Sequence, residues 1–191
     1  MSIYRIRKYP ESILRKQCKK VDNVGLKEKK ILEKMVRTMH KAQGVGLAAS
    51  QVGIDQQLIV VDVGEGLVKL INPLVLLKEG ESTLEEGCLS LPGVTVKMKR
   101  SEKVMVQGWD ESGKMVKVEG EGLFAHTLQH EIDHLWGVLI IDYVSSRERA
   151  DFRDKLMSMM VKRGETNGQG LFKNYGRDGK GKKCQGCSVE I

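Results

Sequence analysis

At 191 residues, with 40% apolar and 30% charged side chains, the chain has the length and balance of one globular domain that buries its own core without disulfides or structural metals. No apolar run reaches membrane-spanning length, and Met1 to Pro10 lack the apolar core of a secretory leader, so the expected address is cytoplasmic, away from any membrane. The four cysteines, Cys18, Cys88, Cys184 and Cys187, are not spaced as a disulfide framework, and the net charge of +7 favours anionic surfaces without selecting one.

Met1 to Val24 is a short mixed segment in which Pro10 turns the chain before Ile13 and Leu14 are buried. From Leu26 to Gln43, Ile31, Leu32, Met35, Val36 and Met39 recur at helical spacing opposite lysines, Glu33 and Arg37, which predicts an amphipathic helix ended by Gly44. Its methionines read as core filler. Gly44 to Gln51 is a run of small residues that lets another backbone approach closely, and the Gln51 amide is a donor suited to a developing oxyanion. Such a run alone is more often a helix stop and a tight turn. It is not a phosphate loop, since no Gly-Lys-Ser/Thr follows.

Val52 to Leu84 alternates turn signals with β-rich runs: Gln57 to Val63, Leu67 to Ile71 before Asn72-Pro73, and Leu74 to Leu77. The short spacing predicts antiparallel strands. Glu85 to Ser90 interrupts the pattern and is read as a loop carrying Cys88. Val94, Val96 and Met98, then Val104 and Val106, then Val116 and Val118 alternate with polar residues, and Asp110 to Gly113 reads as a hairpin turn.

Leu123 to Trp136 is predicted to be a helix with Phe124, Leu128, Ile132 and Leu135 on its apolar side, as expected of a helix laid across a sheet. It contains Gln129-His130-Glu131-Ile132-Asp133-His134. Residues four apart share one helical face, so His130 and His134 point two imidazoles at one metal ion, and Glu131 beside them is placed to exchange protons with a water activated there. A pattern this short also arises by chance, and two such histidines can be merely packed. His126 extends the row, but at 1.5 Å of rise per residue it stands about 12 Å from His134, too far to share an ion held by bonds of about 2 Å. The third ligand must come from elsewhere: a downstream carboxylate such as Glu148 or Glu165, as in a zinc endopeptidase, or Cys88 upstream, the better candidate.

Gly137 stops this helix, and Val138 to Tyr143 reads as a short strand. Ser145 or Ser146 caps a last helix with Phe152, Leu156, Met159 and Met160 on its apolar side. Residues 1–163 thus form one domain. From Gly164 to Ile191 core formers nearly vanish, predicting a flexible basic tail, with Lys180 to Lys183 a solvated end and Cys184 and Cys187 a single Cys-x-x-Cys without a second half.

Gly44 to Gln51, Glu86 to Ser90 and Gln129 to His134 together resemble, in order and spacing, the three signature motifs of the peptide deformylases, metal hydrolases that remove the formyl group from the initiator methionine of new proteins. The resemblance covers roughly Tyr4 to Lys162. It implies an α+β fold, with antiparallel or mixed sheets packed around a central helix bearing the His-Glu-x-x-His motif. It further implies that Cys88, His130 and His134 hold the metal, that Glu131 is the acid–base residue, and that Gln51 and the Leu89 N–H form the oxyanion hole. Val45, Gly46, Glu86 and Gly87 would border the substrate. The implied cofactor is one divalent ion, ferrous iron in the cell, with zinc, nickel or cobalt as substitutes. The implied partners are N-formylmethionyl nascent peptides, and a transient ribosome contact through Arg147, Arg149, Arg153 and the basic tail is an expectation that follows from such substrates. Two positions depart from the family: Ser50 stands where proline or threonine is usual, and His126 occupies a variable position beside the expected methionine pocket. A non-catalytic metal-binding or ribosome-associated protein is the remaining reading, supported by the basic charge and the tail alone.

Overall fold

The computed structural model describes residues 2–162; the Gly164 to Ile191 tail, its lysine run and the Cys184 and Cys187 pair lie outside the described residues. A five-stranded antiparallel sheet runs in the order β1 (Gly46–Ala48), β2 (Leu58–Val61), β3 (Val68–Glu79), β6 (Lys103–Trp109) and β7 (Met115–Glu121). A separate hairpin pairs β4 (Ser82–Cys88) with β5 (Leu91–Arg100). Among the described residues three α-helices accompany the sheets: α1 (Leu26–Lys41), α2 (Gly122–Leu135) and α3 (Ser146–Lys162).

The larger sheet is covered on both faces, and the two-residue period of β2 makes the division. Ile59 and Val61 point to the side occupied by α2, where they meet Phe124, Ala125, Leu128 and Ile132. Leu58 and Val60 point to the opposite side, against Leu32, Met35 and Met39 of α1. A third cluster joins Leu91, Val94, Val96 and Met98 of β5 to Leu14, Leu139, Ile140, Ile141 and Leu156. The helix α2 therefore lies between the large sheet and the hairpin, buried on nearly every side. That position explains why its apolar residues are not confined to one stripe.

Several sequence expectations are corrected. The two runs around Asn72-Pro73 are one strand, β3, because Asn72 takes the left-handed conformation (φ 53°) and the ladder shifts register between Ile71 and Leu74. The Asn72 side chain fills the irregularity: its Oδ1 accepts from Val21 N–H at 2.9 Å and its Nδ2 donates to the Val21 carbonyl at 2.8 Å. Glu85 to Ser90 is not a loop. It is the end of β4, paired with β5 as far as Cys88, and only Leu89 and Ser90 turn. Val138 to Tyr143 is not a strand but a single 3-10 turn, Ile140–Asp142, in which the Asp142 carboxylate accepts from Leu139 N–H at 2.8 Å. Three consecutive buried residues, Leu139 to Ile141, carry no periodicity that separates a strand from a turn. The first helix ends two residues earlier than expected, at Lys41.

Other expectations agree with the coordinates. Asp110 anchors the hairpin turn by accepting from Ser112 N–H and Lys114 N–H. Ser145 caps α3, its Oγ accepting from Glu148 N–H while the Glu148 carboxylate accepts from Ser145 N–H. Gly137 ends α2 in the left-handed region (φ 73°), with the Arg15 backbone packed against its Cα. A Cβ there would lie 2.5 Å from the Arg15 carbonyl oxygen and 2.6 Å from its carbon. Gly137→Ala is therefore expected to cost at least about 2 kcal/mol, read as a lower urea midpoint with unchanged m-value, since both the backbone conformation and the Arg15 segment must give. An unshifted midpoint would mean that this helix stop tolerates a side chain.

Candidate metal centre

The centre is assembled where the end of β4 meets one face of α2. Cys88 Sγ lies 3.2 Å from His134 Nε2, and the donor atoms of Cys88, His130 and His134 all fall within 4.8 Å of one another. The two imidazoles stand edge to face, with ring centres 5.0 Å apart, as the four-residue helical spacing dictates. Glu148, the described downstream carboxylate considered as a ligand, is spent on Ser145 at the start of α3; Glu165 lies outside the described residues.

One carboxylate sets the geometry of the histidines. Glu86 is buried, with Oε1 2.5 Å from Arg100 Nε and 2.9 Å from His126 Nδ1. Its Oε2 lies 3.0 Å from both Arg100 Nη2 and His130 Nδ1. Because a carboxylate only accepts, His130 must donate from Nδ1, so in the neutral ring Nε2 is the free donor atom, and it is Nε2 that faces the cluster. Burial pushes the Glu86 carboxyl up, but hydrogen bonds from His130 and Arg100 and the guanidinium charge outweigh it and hold the group at about 2. Arg100 is held in turn by Asp133 at 2.8 Å, and Asp133 also accepts from Tyr143 Oη at 2.9 Å.

The remaining electrostatics suit a cation. Burial pushes the His134 imidazole well below its ordinary value, helped by the positive charges of His130 and Arg100, so it is neutral. At His130 burial acts downward too, yet the Cys88 and Glu86 side chains raise it well above its usual range: this position favours positive charge. Glu131 is buried beside them and is pushed up to about 7, chiefly by desolvation. Its Oε2 has no hydrogen-bond partner among the described residues. A thiol, two correctly presented ring nitrogens and a poised carboxyl thus fit a divalent metal with Glu131 beside it.

Gly46 explains how Glu131 sits so close to β1. A Cβ at Gly46 would lie 2.3 Å from Glu131 Oε1 and 2.8 Å from Thr127 Cγ2, so no side chain fits between strand and helix. Gln51 follows in the single turn Ala49–Val52. Its Oε1 accepts from Ala48 N–H at 2.8 Å, which turns the amide so that Nε2 points at Cys88 Sγ, 3.6 Å away, and Ser90 Oγ, 3.3 Å away. The N-terminal segment ties these pieces together: Arg7 N–H donates to the Gln51 carbonyl at 2.7 Å, Tyr9 N–H to the Ser90 carbonyl at 3.0 Å, and the Lys8 ammonium to the Leu89 carbonyl.

Val45, Gly46, Glu86, Gly87 and Leu89 line a cleft of about 430 Å³ that opens onto the cluster. The Glu86 carboxylate itself is engaged by Arg100 and the two histidines. Arg100, Ser82 and Ser90 escaped sequence reasoning. Arg100 left a trace: it continues the inward alternation of Val94, Val96 and Met98, and a charged residue in an inward register must have buried partners.

A polypeptide deformylase family model matches residues 3–150. A peptide deformylase of Thermodesulfovibrio yellowstonii is 46% identical over 160 residues, covering 81% of this chain and 97% of that relative. One from Halothermothrix orenii is 48% identical over 146 residues, covering 75% and 95%. Among solved structures, a peptide deformylase from Legionella pneumophila superposes with a TM-score of 0.82 at 38% identity, covering 86% of this chain and 99% of that one.

The buried ion network generates a stability prediction. Arg100→Met keeps the length of the side chain but strands Glu86 and Asp133, so it is expected to lower unfolding free energy by about 3–5 kcal/mol in guanidinium titration. Loss below about 1 kcal/mol would show that water or another cation replaces the guanidinium.

Proposed function

The chain belongs to the polypeptide deformylase family and removes the N-terminal formyl group from the formyl-methionine of newly made proteins, and we propose that Cys88, His130 and His134 hold its metal while Glu131 moves the protons. The observation that carries the assignment is the meeting of Cys88, from the end of β4, with two histidines of α2 within 4.8 Å. A zinc-endopeptidase reading needs a carboxylate as third ligand, and Glu148 points to Ser145 instead.

When bound, the metal supplies a Lewis acid that polarises the formyl group and makes water a nucleophile near neutral pH. We infer from the family resemblance that the ion is ferrous iron in the cell; the donor set of one thiolate and two imidazoles also accepts zinc, nickel or cobalt as substitutes. Glu131, lifted by burial toward neutrality, accepts a proton from the attacking water and returns it to the departing amine, so formate and a free N-terminus result. Gln51 Nε2, turned toward Cys88 by its own Oε1 bond, and the N–H of Leu89 donate to the oxyanion as it forms.

The peptide main chain runs between two open strand edges. The outer edge of β1 at Val45 and Gly46 and the outer edge of β4 at Glu86 and Gly87 both border the cleft, and each strand is bonded on its other side. An acetyl group carries a methyl where a formyl group carries hydrogen, and the close packing of Gly46 against Glu131 supports a steric preference for formyl. A cytoplasmic address and a ribosome contact complete the reading. Among the described residues no helix is long and apolar enough to cross a membrane. Of the arginines assigned to the ribosome contact, Arg149 is already bonded to the carbonyls of Ile141 and Asp142 and Arg153 to Asp154, which leaves Arg147 and the tail lysines as its main cations.

Protein purified anaerobically is expected to contain close to one metal per chain and to release formate from formyl-Met-Ala-Ser. Cys88→Ala should lose the metal, whereas Glu131→Gln should keep it and lose activity by roughly 10²–10⁴-fold. Retained metal in Cys88→Ala, measured by elemental analysis, would reject Cys88 as a ligand. Gly46→Ala should also keep the metal but lower turnover at least about tenfold by displacing Glu131.

A further inference from the structure

The two donors assigned to the oxyanion come from different sheets. Gln51 lies in the single turn that follows β1 of the larger sheet, and Leu89 lies in the turn between β4 and β5 of the hairpin. Both must reach one oxygen atom, each at about 2.7–3.1 Å, so their separation has to be held closely. Among the described residues no ladder joins the two sheets.

Three consecutive residues bridge them. Arg7 N–H donates to the Gln51 carbonyl at 2.7 Å, the Lys8 ammonium to the Leu89 carbonyl, and Tyr9 N–H to the Ser90 carbonyl at 3.0 Å. This strap is anchored at both ends. The Arg7 guanidinium rests on Gly53, where the Gln51 turn stops, so closely that a Cβ there would lie 2.8 Å from its Nε. The Tyr9 ring is buried in the cluster that contains Leu91 and Val94 of β5. Glu11 holds the strap itself: its carboxylate accepts from Lys8 N–H at 3.2 Å, from Arg7 Nη1 at 3.2 Å and from Arg5 Nη2 at 2.9 Å. Arg7 and Tyr9 reach the site through main-chain N–H groups, which nearly any residue supplies. Lys8 reaches it through its side chain, which the sequence must specify, and it does so from outside the lining of the cleft.

We propose that Lys8 is a positioning residue for the reaction: by pinning the Leu89 carbonyl it fixes the turn at Leu89 and Ser90, and so keeps the Leu89 N–H in register with the Gln51 amide across the gap between the sheets. The bound substrate gains little from that register, because the donors are aimed at charge that appears only as water attacks. Its loss therefore falls on kcat rather than on KM. This inference rests on the deformylase reading and its oxyanion donors, and adds to them the residue that sets their spacing.

The test measures kcat and KM for formyl-Met-Ala-Ser, metal per chain and the thermal midpoint on the full chain. Lys8→Met keeps the stem and removes the donor; kcat is expected to fall roughly tenfold, with KM within about twofold of wild type and metal unchanged. Lys8→Arg restores a charged donor and should recover kcat to within about threefold of wild type. Should Lys8→Met fail to fold, Lys8→Gln, with a shorter and neutral donor, decides on the same split. A kcat unchanged within about twofold, a loss carried by KM, a loss of metal, or equal losses in Lys8→Met and Lys8→Arg overturns the proposal, as does a lower thermal midpoint with kcat intact. Gln51→Ala, measured alongside, should lose about 10²–10³-fold in kcat. Full activity there would overturn the oxyanion assignment, and wild-type protein that releases no formate would overturn the deformylase reading.

Discussion

The site depends on one buried carboxylate. Glu86 binds Arg100 through both oxygens and uses the same oxygens to accept from His126 and His130, so four donors converge on a group with almost no access to water. An isolated carboxylate could not stay ionised there. Paired with the guanidinium and hydrogen-bonded on all sides it does, and its charge then fixes which nitrogen of each histidine carries hydrogen. The metal cluster inherits its geometry from that choice.

A second constraint is the sandwiching of α2. The larger sheet covers one side of the helix and the β4–β5 hairpin the other, so His130 and His134 are held by packing before any ion is considered. Ser50 Oγ donates to the His134 carbonyl at 3.1 Å, tying the end of the helix to the Gln51 segment. The Ser50 hydroxyl thus fastens two pieces of the site to each other. Close approach of β1 at Gly46 completes the enclosure and desolvates Glu131. Stability and chemistry share these contacts, which is why substitutions at Arg100 or Gly46 bear on both.

The elements with strong periodicity were legible from residues alone. The α1 and α2 helices, the alternating strands β5 to β7, the Asp110 turn and the Ser145 cap each follow from local patterns that tertiary packing reinforces. Reading failed where local pattern and tertiary context diverge. Asn72-Pro73 looks like the end of a strand, yet Val21 satisfies the asparagine and the strand continues. Leu139 to Ile141 looks like a strand, yet Gly137, Arg15 and Asp142 wind it into a turn. Glu86 lines the cleft as its motif suggests, but the partners of its carboxylate lie on β5 and α2, at sequence distances that no local pattern spans.

By itself the sequence determined that two imidazoles share a helical face with an acid between them and that Cys88 was the best candidate for a third donor, for which helical geometry and residue chemistry suffice, and the order and spacing of three motifs pointed to one family. Only the tertiary structure decided that Cys88 ends a paired strand, that Arg100 neutralises Glu86, and that Ser82 and Glu86 engage both nitrogens of His126. These are long-range pairings of buried polar groups, and their energetics depend on which donors the folded chain brings within 3 Å, a quantity that no stretch of sequence contains.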